Sequence, residues 1–336
     1  MELSELRMAL VGFGNVGKAV ARVIVEKRDL LQKIGFEPVV VAVFEKNGSW
    51  IDENGLNLQE ILQKGESSPA WVEGASAKEH IPEMDCDIVV EMTVTNIKDG
   101  EPGLTHIREA LKSGKDVVTS NKGPLVLAFP ELMDMAEKKG RILLYEATVG
   151  GAIPVFHVAR EALLINKITA ITGILNGTSN YILTKMTEEK VSFNAALREA
   201  QEKGYAEADP TYDVEGIDAA SKLVILANGI LGLRKKLSDV QIEGITRINP
   251  EMVELAMEDG YLVKHIGYVD RDRIEVMPRL IPRSSPLAVG GTLNVISLRT
   301  DVAEEITLIG RGAGPRETSS AILGDILHIH RVREGY

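Results

Sequence analysis

Short apolar runs and amphipathic segments alternate through the first 145 residues of the chain. The apolar runs are Met8–Val11, Val39–Phe44, Asp87–Glu91 and Asp116–Thr119. Between them, segments such as 18–31 repeat apolar residues at helical spacing. Buried strands that alternate with helices are typical of a mostly parallel sheet covered by helices. The pattern therefore predicts an α/β fold over residues 1–145, a Rossmann-type doubly wound parallel sheet. Residues 52–80 are polar and predict only one short helix, at 58–63.

The pattern of residues 146–304 predicts a second domain of the α+β class. Lys167–Leu175 alternates apolar with small or polar residues, so one face of this strand is expected to be buried. Two more strands are predicted at 264–268 and 273–278, which gives a mixed or antiparallel sheet. By analogy with other folds, we expect a substrate-binding and dimerisation domain. Residues 305–336 are expected to return to the first domain.

A glycine motif stands between the first strand and the first helix. Its residues form a GxGxxG pattern: Gly12, Phe13, Gly14, Asn15, Val16 and Gly17. In this pattern the first glycine allows a tight turn, the second lets a pyrophosphate approach, and the third lets the helix pack on the strand. The helix N-terminus then offers N–H groups to the phosphates. The motif in this position predicts a dinucleotide-binding site.

Two adjacent charges leave the choice between NAD and NADP open. Glu45 follows the second apolar run, where a carboxylate can accept hydrogen bonds from the ribose hydroxyls of NAD. Lys46 comes next and can meet the 2′-phosphate of NADP instead. Two exposed loop charges are the structural alternative for this pair.

Polar residues follow the third and fourth apolar runs. Thr93 stands just after Asp87–Glu91, and Ser120 and Lys122 stand just after Asp116–Thr119. In a doubly wound sheet the carboxyl ends of the strands face the ligand. Lys122 is therefore placed to meet a phosphate, a carboxylate or a reacting oxygen, and a surface lysine in a turn is the alternative.

An acidic loop, Gly204–Glu215, leads into the most apolar helix of the chain. The loop includes Glu207 and Asp213, and the helix after it is apolar nearly all round, which predicts burial. This helix nevertheless carries Asp218 and Lys222, which share one face at a spacing of i,i+4. A buried carboxylate and ammonium are costly unless they are paired. The pair is either a structural ion pair or a catalytic lysine with its partner carboxylate.

The turn after strand 167–175 is a second candidate for ligand binding. Gly177 and Thr178 open a helix, for which Thr178 or Ser179 is a suitable N-cap. A free helix N-terminus after a glycine suits a carboxylate, and a plain capped turn is the alternative.

Two more glycine-rich turns fall near the domain boundaries. Glu146 precedes the pair Gly150-Gly151, and a turn of this kind can surround a small hard cation with carbonyl oxygens. An ordinary strand-to-helix turn is the alternative. Gly312 and Gly314 lie in a turn whose spacing is not GxGxxG, and its backbone is expected to line the cofactor site.

Composition excludes several classes of function. The chain has 336 residues, with 38 Lys and Arg against 49 Asp and Glu, and a net charge of −11. This charge argues against nucleic acid or an anionic membrane as the main partner. The single cysteine, Cys86, cannot form an intrachain disulfide and is typical of a reducing, cytoplasmic compartment. No apolar run is long enough to span a membrane.

The motifs together resemble the homoserine dehydrogenase family. The resemblance covers nearly the whole chain in order, and its most specific part lies between residues 204 and 222. The stretches that carry it are Gly12–Gly17, Thr119–Pro124, Glu146–Pro154, Gly173–Tyr181, Gly204–Pro210, Asp213, Gly216–Asp218, Lys222 and Gly310–Gly314.

The resemblance implies an NAD(P)-dependent enzyme that interconverts L-aspartate 4-semialdehyde and L-homoserine on the route to threonine, methionine and isoleucine. A homodimer is expected by analogy with other second-domain sheets. Lys222 would be the general acid and base, Asp218 its partner, and Lys122 a residue at the junction of cofactor and substrate. Further dinucleotide contacts would come from Phe13, Asn15, Val16, Thr93 and Ser120.

The resemblance also implies how the substrate and a cation are bound. Glu207 would hold the substrate ammonium group. The other expected substrate contacts are Asp213, Asp218, Gly177, Thr178 and Gly204. A monovalent cation such as sodium would be held by Glu146 and by the backbone of Val149, Gly151 and Ile153.

The chain stops about where the catalytic core of the family ends. Many members carry a C-terminal regulatory ACT domain, and some are fused to an aspartate kinase. The sequence therefore predicts the short form, in which feedback through such a domain is in doubt. Three rival functions remain at this point: another amino-acid or oxo-acid dehydrogenase on the same scaffold, a dinucleotide-binding regulatory protein without turnover, and a purely structural homo-oligomer, against which the glycine motif at 12–17 argues.

Overall fold

The computed structural model describes residues 3–335. Its internal contacts divide the chain into two compact units. The first unit comprises Met1–Thr148 and Gly314–Tyr336, and the second comprises Val149–Ala313. Helices and strands are numbered below in chain order.

Among the described residues, the first unit contains a seven-stranded sheet with the strand order β4-β3-β2-β1-β5-β6-β7. The strands β2, β1, β5, β6 and β7 pair in parallel, while β3 and β4 add an antiparallel edge. Their bounds are β1 Ser4–Val11, β2 Phe36–Glu45, β3 Gly48–Ile51, β4 Trp71–Glu73, β5 Ile88–Glu91, β6 Asp116–Thr119 and β7 Leu143–Leu144. The strand order reverses direction at β1, and ligands of doubly wound sheets bind at such a point. The predicted fold class of this part is confirmed.

Helices cover this sheet and complete its core. Their bounds are α1 Asn15–Glu26, α2 Arg28–Lys33, α3 Leu58–Lys64, α4 Ala77–His80, α5 Gly103–Lys112, α6 Lys122–Lys139 and α13 Pro315–Glu334. Helix α13 packs against α1, and Ile322, Ile326 and Ile329 enter the same core as β1. Arg333 near the end of α13 forms ion pairs with Asp87 and Asp116. The last helix of the chain is therefore an integral part of the first unit.

The antiparallel edge was not predicted from the sequence. The structure adds β4 and α4 within 52–80, where only one helix was expected. Strand β4 has three residues, too few to show a period, and it forms because Trp71 pairs with Trp50 of β3. The rings of these two tryptophans are 4.6 Å apart, and the indole of Trp50 donates a hydrogen bond to the carbonyl of Gly65.

The second unit contains a six-stranded sheet among the described residues, in the order β13-β12-β8-β10-β11-β9. The strands are β8 Ile168–Ile174, β9 Gln241–Ile242, β10 Tyr261–Val269, β11 Ile274–Pro282, β12 Leu293–Thr300 and β13 Glu305–Arg311. All neighbouring pairs are antiparallel except β9 with β11. The expectation of a mixed sheet is confirmed.

The end of this sheet corrects the predicted return point of the chain. Strand β13 pairs along its whole length with β12, from Leu293 opposite Arg311 to Arg299 opposite Glu305. Residues 305–311 are therefore part of the second unit, and the chain enters the first unit at Gly314 rather than at residue 305.

The helices of the second unit pack on one another and on the sheet. They are α7 Val155–His157, α8 Gly177–Glu189, α9 Phe193–Glu202, α10 Thr211–Val214, α11 Ile217–Gly229 and α12 Pro250–Glu258. A π-helical turn, Val158–Ala162, follows α7. Every residue of α11 from Asp218 to Asn228 is buried, as its apolar composition predicted. None of the helices among residues 3–335 combines the length and the apolar character that crossing a membrane requires.

Candidate active site

The glycine turn of the first unit has the geometry that a dinucleotide requires. Gly12 has a φ of +96°, and its N–H donates to the carbonyl of Phe44 at the end of β2. A Cβ atom on Gly17 would lie 2.2 Å from the carbonyl oxygen of Gly12, so no side chain fits where α1 packs against the turn.

The N-terminus of α1 is open to a ligand. Gly14 is the N-cap residue, and no side chain caps this helix. A Cβ atom added to Gly14 would meet no other atom within 4 Å. Because the first N–H groups of a helix lack partners within the helix, they suit a pyrophosphate at this point. The residues present therefore fit a dinucleotide.

The side chains of the turn divide between core and surface. Phe13 is 2% exposed and packs on Trp50 with ring centroids 5.4 Å apart, so only its backbone is placed to meet a ligand. Asn15 is exposed, and Val16 is half-buried. Glu45 ends β2 and is half-buried, whereas Lys46 is exposed in the turn to β3. The structure places both charges at the carboxyl end of β2.

A buried carboxylate joins the loops after β5 and β6. Glu91 is fully buried and accepts hydrogen bonds from the hydroxyl and the N–H of Thr93 and from the hydroxyl of Thr119. Asn121 donates to the Thr93 hydroxyl at 3.2 Å, and the N–H of Ser120 donates to the Glu91 carbonyl at 3.1 Å. Thr93 and Ser120 are thus both hydrogen-bonded to Glu91.

The sequence patterns do not single out Glu91 and Asn121. Glu91 closes an apolar run, and a carboxylate in that position is itself a signal. Asn121 is the N-cap of α6, where its side chain accepts from the N–H of Gly123. Helix α6 begins at Lys122, which is half-buried, so this lysine stands in the first turn of a helix and not in a loose surface turn.

The predicted pair in the second unit is formed. Lys222 and Asp218 are 7% and 6% exposed, and the Lys222 Nζ lies 2.6 Å from the Asp218 Oδ2. Lys222 also donates a hydrogen bond of 2.7 Å to the carbonyl of Leu175, just after β8. The ammonium group is therefore fixed by one carboxylate and one main-chain oxygen.

Asn176 connects this pair to a second carboxylate. Its Nδ2 donates to the Asp213 Oδ1 at 2.6 Å and to the Asp218 Oδ2 at 3.0 Å. Burial raises the pKa of Asp213, and the charge of Asp218 acts in the same direction, while the hydrogen bond from Asn176 opposes both. Asn176 is also the N-cap of α8, because its Oδ1 accepts from the N–H of Ser179. The expectation that Thr178 or Ser179 caps this helix was wrong.

The remaining predicted substrate residues lie near the start of α8 and on the loop before α10. Thr178 is buried, and its hydroxyl donates to the carbonyl of Tyr205 at 2.8 Å. Gly177 begins α8, where a Cβ atom would lie 2.8 Å from the carbonyl oxygen of Thr292. Gly204 and Glu207 are exposed. The structure thus joins Thr178 to the loop that carries Glu207.

The predicted cation residues are divided between the two units. Glu146, 1% exposed, belongs to the first unit, and its N–H donates to the Asp325 Oδ2 at 2.8 Å. The residues of the second unit are Val149, Gly151 and Ile153. Gly312 also belongs to the second unit, where it packs against Gly151, and Gly314 is the N-cap of α13 in the first.

Cys86 is unsuited to nucleophilic chemistry. The residue is half-buried, and burial raises the pKa of its thiol to about 11. Since the thiolate is the reactive form, a thiol that stays protonated at neutral pH is a poor nucleophile.

The fold and these sites define an oxidoreductase that uses a dinucleotide. A sequence model described as "Homoserine dehydrogenase, NAD binding domain" matches residues 12–146, and one described as "Homoserine dehydrogenase" matches residues 154–327. The chain belongs to the homoserine dehydrogenase family. It is an NAD(P)-dependent oxidoreductase that acts on a CH–OH group, and its reaction is the reversible reduction of L-aspartate 4-semialdehyde to L-homoserine.

Relatives match the chain over nearly its full length. The homoserine dehydrogenase of Methanocaldococcus jannaschii is 48% identical, over 96% of this chain and 97% of that protein. The NAD(+)-dependent homoserine dehydrogenase of Pseudomonas canavaninivorans is 38% identical, over 98% and 97%. The crystal structure of a putative homoserine dehydrogenase from Archaeoglobus fulgidus has a TM-score of 0.91 at 47% identity and covers 96% of this chain and 99% of that one.

Proposed function

We propose that Lys222 exchanges the proton with the substrate oxygen in the interconversion of L-aspartate 4-semialdehyde and L-homoserine. The observation that carries this proposal is the burial of Lys222 between the Asp218 carboxylate and the Leu175 carbonyl. An ammonium group has three N–H donors. With two of them directed to these oxygens, the third is available to the substrate.

The proton balances the charge that develops on the substrate. The bound nicotinamide supplies or takes up the hydride at the carbon that is an aldehyde in one substrate and an alcohol in the other. In reduction, the carbonyl oxygen gains negative charge, and Lys222 donates the proton that makes it a hydroxyl. In oxidation, neutral Lys222 accepts this proton. Asp218 orients the lysine in both directions.

Charged groups of the second unit are proposed to hold the amino-acid end of the substrate. Glu207 and Asp213 offer carboxylates to the ammonium group. The N-terminus of α8 at Gly177 and Thr178, with the backbone of Gly204, offers N–H groups to the substrate carboxylate. The hydrogen bond from Thr178 to Tyr205 supports this grouping, because it ties α8 to the loop that carries Glu207.

In the first unit, the dinucleotide is proposed to bind along the glycine turn. Its pyrophosphate would meet the N–H groups at the start of α1, Glu45 or Lys46 would select NAD or NADP, and Thr93 and Ser120 would contact the nicotinamide side. The backbone of Gly312 and Gly314 is proposed to contribute as well. Lys122 is assigned to the substrate oxygen or carboxylate, as a second positive charge.

A monovalent cation, homodimer formation through the second unit and a cytoplasmic location complete the proposal. The cation is assigned to Glu146 and to the backbone oxygens of Val149, Gly151 and Ile153, and sodium is the first candidate. Supporting this, Gly151 has a φ of +57°, a backbone that turns sharply. Turnover in sodium, potassium and lithium chlorides tests the cation, and light scattering tests the dimer.

Oxidation of L-homoserine at alkaline pH, followed by nicotinamide absorbance, tests the function directly. NAD and NADP are compared in parallel, and L-threonine and malate serve as control substrates. We expect activity with homoserine alone, and the ratio of rates with the two cofactors decides between Glu45 and Lys46. Tight dinucleotide binding without turnover of homoserine would overturn the proposal.

A further inference from the structure

We infer that Asn176 is a positioning residue for the proton transfer: its amide group joins Asp213 to Asp218 and so holds the carboxylate that orients Lys222. The inference rests on the proposed role of Lys222. It concerns a side chain that does not itself exchange a proton.

Each polar atom of the Asn176 side chain has a defined partner. The residue is 4% exposed. Its Nδ2 donates to the Asp213 Oδ1 at 2.6 Å and to the Asp218 Oδ2 at 3.0 Å, and its Oδ1 accepts from the N–H of Ser179 at 2.8 Å. An amide nitrogen carries two hydrogens, so both are directed to carboxylates. The side chain can take only one orientation, because the helix N-terminus requires the oxygen.

The Asp218 Oδ2 is the atom at which the two interactions meet. It accepts from Asn176 and lies 2.6 Å from the Lys222 Nζ. The amide of Asn176 is fixed by the cap of α8, so its hydrogen bond adds a rigid constraint on the orientation of the Asp218 carboxylate to the one that the flexible Lys222 supplies. Because Asn176 is fixed at the N-terminus of α8, it helps to set the position of Asp218 and, through Asp218, that of Lys222.

Charge explains why an amide suits this position. Asp213 and Asp218 both face Asn176, Lys222 faces Asp218, and Tyr212 lies beside them, with its pKa raised to about 12 chiefly by burial. Two carboxylates near each other in a buried site repel, and hydrogen bonds to their charged forms reduce that cost. A neutral donor between them achieves this without adding a charge.

Substitutions can separate the two roles of Asn176. Its oxygen caps α8, and its nitrogen joins Asp213 to Asp218. Asn176→Asp keeps an oxygen for the Ser179 N–H, and Asp caps helices about as well as Asn. It removes both N–H donors and adds a negative charge next to Asp213 and Asp218. Asn176→Ser also keeps a cap oxygen and removes the amide donors, but adds no charge. A matched control is Asn249→Asp at the cap of α12, where the side-chain oxygen of Asn249 accepts from the Met252 N–H.

The test measures kcat for homoserine oxidation against pH, KM for the dinucleotide, and Tm. For Asn176→Asp we expect kcat to fall by about 10²-fold, as when a reacting group is misplaced, with an unchanged dinucleotide KM. The rising limb of the profile should move to higher pH, because added negative charge favours the protonated form of the cluster. Asn176→Ser should lower kcat without this displacement, and Asn249→Asp should match the unmodified protein.

A kcat and a pH profile of Asn176→Asp that match those of the unmodified protein would overturn the inference. So would equal losses in Asn176→Asp and Asn249→Asp, which would show that any change at a cap suffices. The failure of the proposed function looks different: turnover would then survive in Lys222→Ala. If Lys222→Ala is inactive while both Asn176 variants are fully active, only the positioning role is wrong.

Discussion

The turn after β1 presents mainly backbone groups, whereas the region around the start of α11 presents ionisable side chains. In the turn, Gly12 and Gly17 are in close contact, and no side chain caps α1. Near α11, Asp213 and Asp218 both accept from Asn176, and Asp218 also pairs with Lys222. The two regions belong to different units of the chain.

This difference matches two kinds of chemistry. Backbone N–H groups and the helix dipole have no protonation state to change, so they suit a ligand with permanent charge, such as a pyrophosphate. A lysine buried beside a carboxylate can hold a proton and release it. The comparison predicts that changes in the turn affect binding of the dinucleotide and that changes near α11 affect turnover.

The largest expected effect is that of Lys222→Ala. We expect kcat for homoserine oxidation to fall by about 10²–10⁴-fold, the usual contribution of a general acid or base. Dinucleotide affinity, measured by the fluorescence of NADH or NADPH, should not change. Lys190→Ala, which removes an exposed ion pair with Glu254, is the control and should be close to neutral. Loss of dinucleotide affinity with turnover intact would contradict the comparison.

The next effect is that of Gly17→Ala in the turn. The added Cβ would stand 2.2 Å from the Gly12 carbonyl oxygen. We expect a loss of about 1–3 kcal/mol in unfolding free energy, as for overpacking, together with weaker dinucleotide binding. Gly14→Ala adds a Cβ that meets no protein atom, so it should cost less stability than Gly17→Ala, although Ala is a poorer N-cap than Gly, and it should still lose affinity. Equal affinity in both variants and the unmodified protein would show that the ligand does not approach this turn.

Lys264 is a second buried lysine near α8, and it extends the comparison from turnover to stability. It donates to the Asn180 Oδ1 and the Thr184 hydroxyl, and burial lowers its pKa to about 8. Between this value and the ordinary value of 10.5, the unfolded chain binds more protons than the folded one. Stability should therefore rise with pH across this window, by up to about 3 kcal/mol.

Denaturant unfolding of the unmodified protein and of Lys264→Met at several pH values tests this. The difference between the two proteins isolates the lysine, since all other groups titrate in both. We expect the rise to be absent from Lys264→Met. A parallel pH dependence in the two proteins would refute the assignment.

The smallest effect concerns Glu91, an ionisable residue in the first unit. Its carboxylate accepts from Thr93 and Thr119 and has no proton to exchange in the proposed reaction. Glu91→Gln keeps the shape but weakens charge-assisted hydrogen bonds. We expect KM for the dinucleotide to rise about tenfold, or about 1.4 kcal/mol, with kcat nearly unchanged. A fall in kcat at constant KM would place Glu91 with the catalytic residues instead.

Local sequence patterns predicted much of the fold because they reflect interactions between residues that are close together in the chain. The GxGxxG turn, the alternation of apolar runs and the burial of α11 all follow from residues within a few positions of one another. The edge strand β4 did not, because three residues carry no period and form a strand only beside β3. Strand β13 was assigned to the wrong domain for a similar reason: its partner is another strand, not a neighbouring residue.

The same division holds for the candidate active site. The spacing of Asp218 and Lys222 by itself determined that they share a helix face, and the apolar residues around them determined that they are buried. Only the tertiary structure decided that Asn176 meets Asp213 and Asp218, 37 and 42 residues away, and that the Leu175 carbonyl meets Lys222, 47 residues away. Helical spacing sets contacts over one turn, whereas contacts over such separations depend on how β8, α8 and α11 pack.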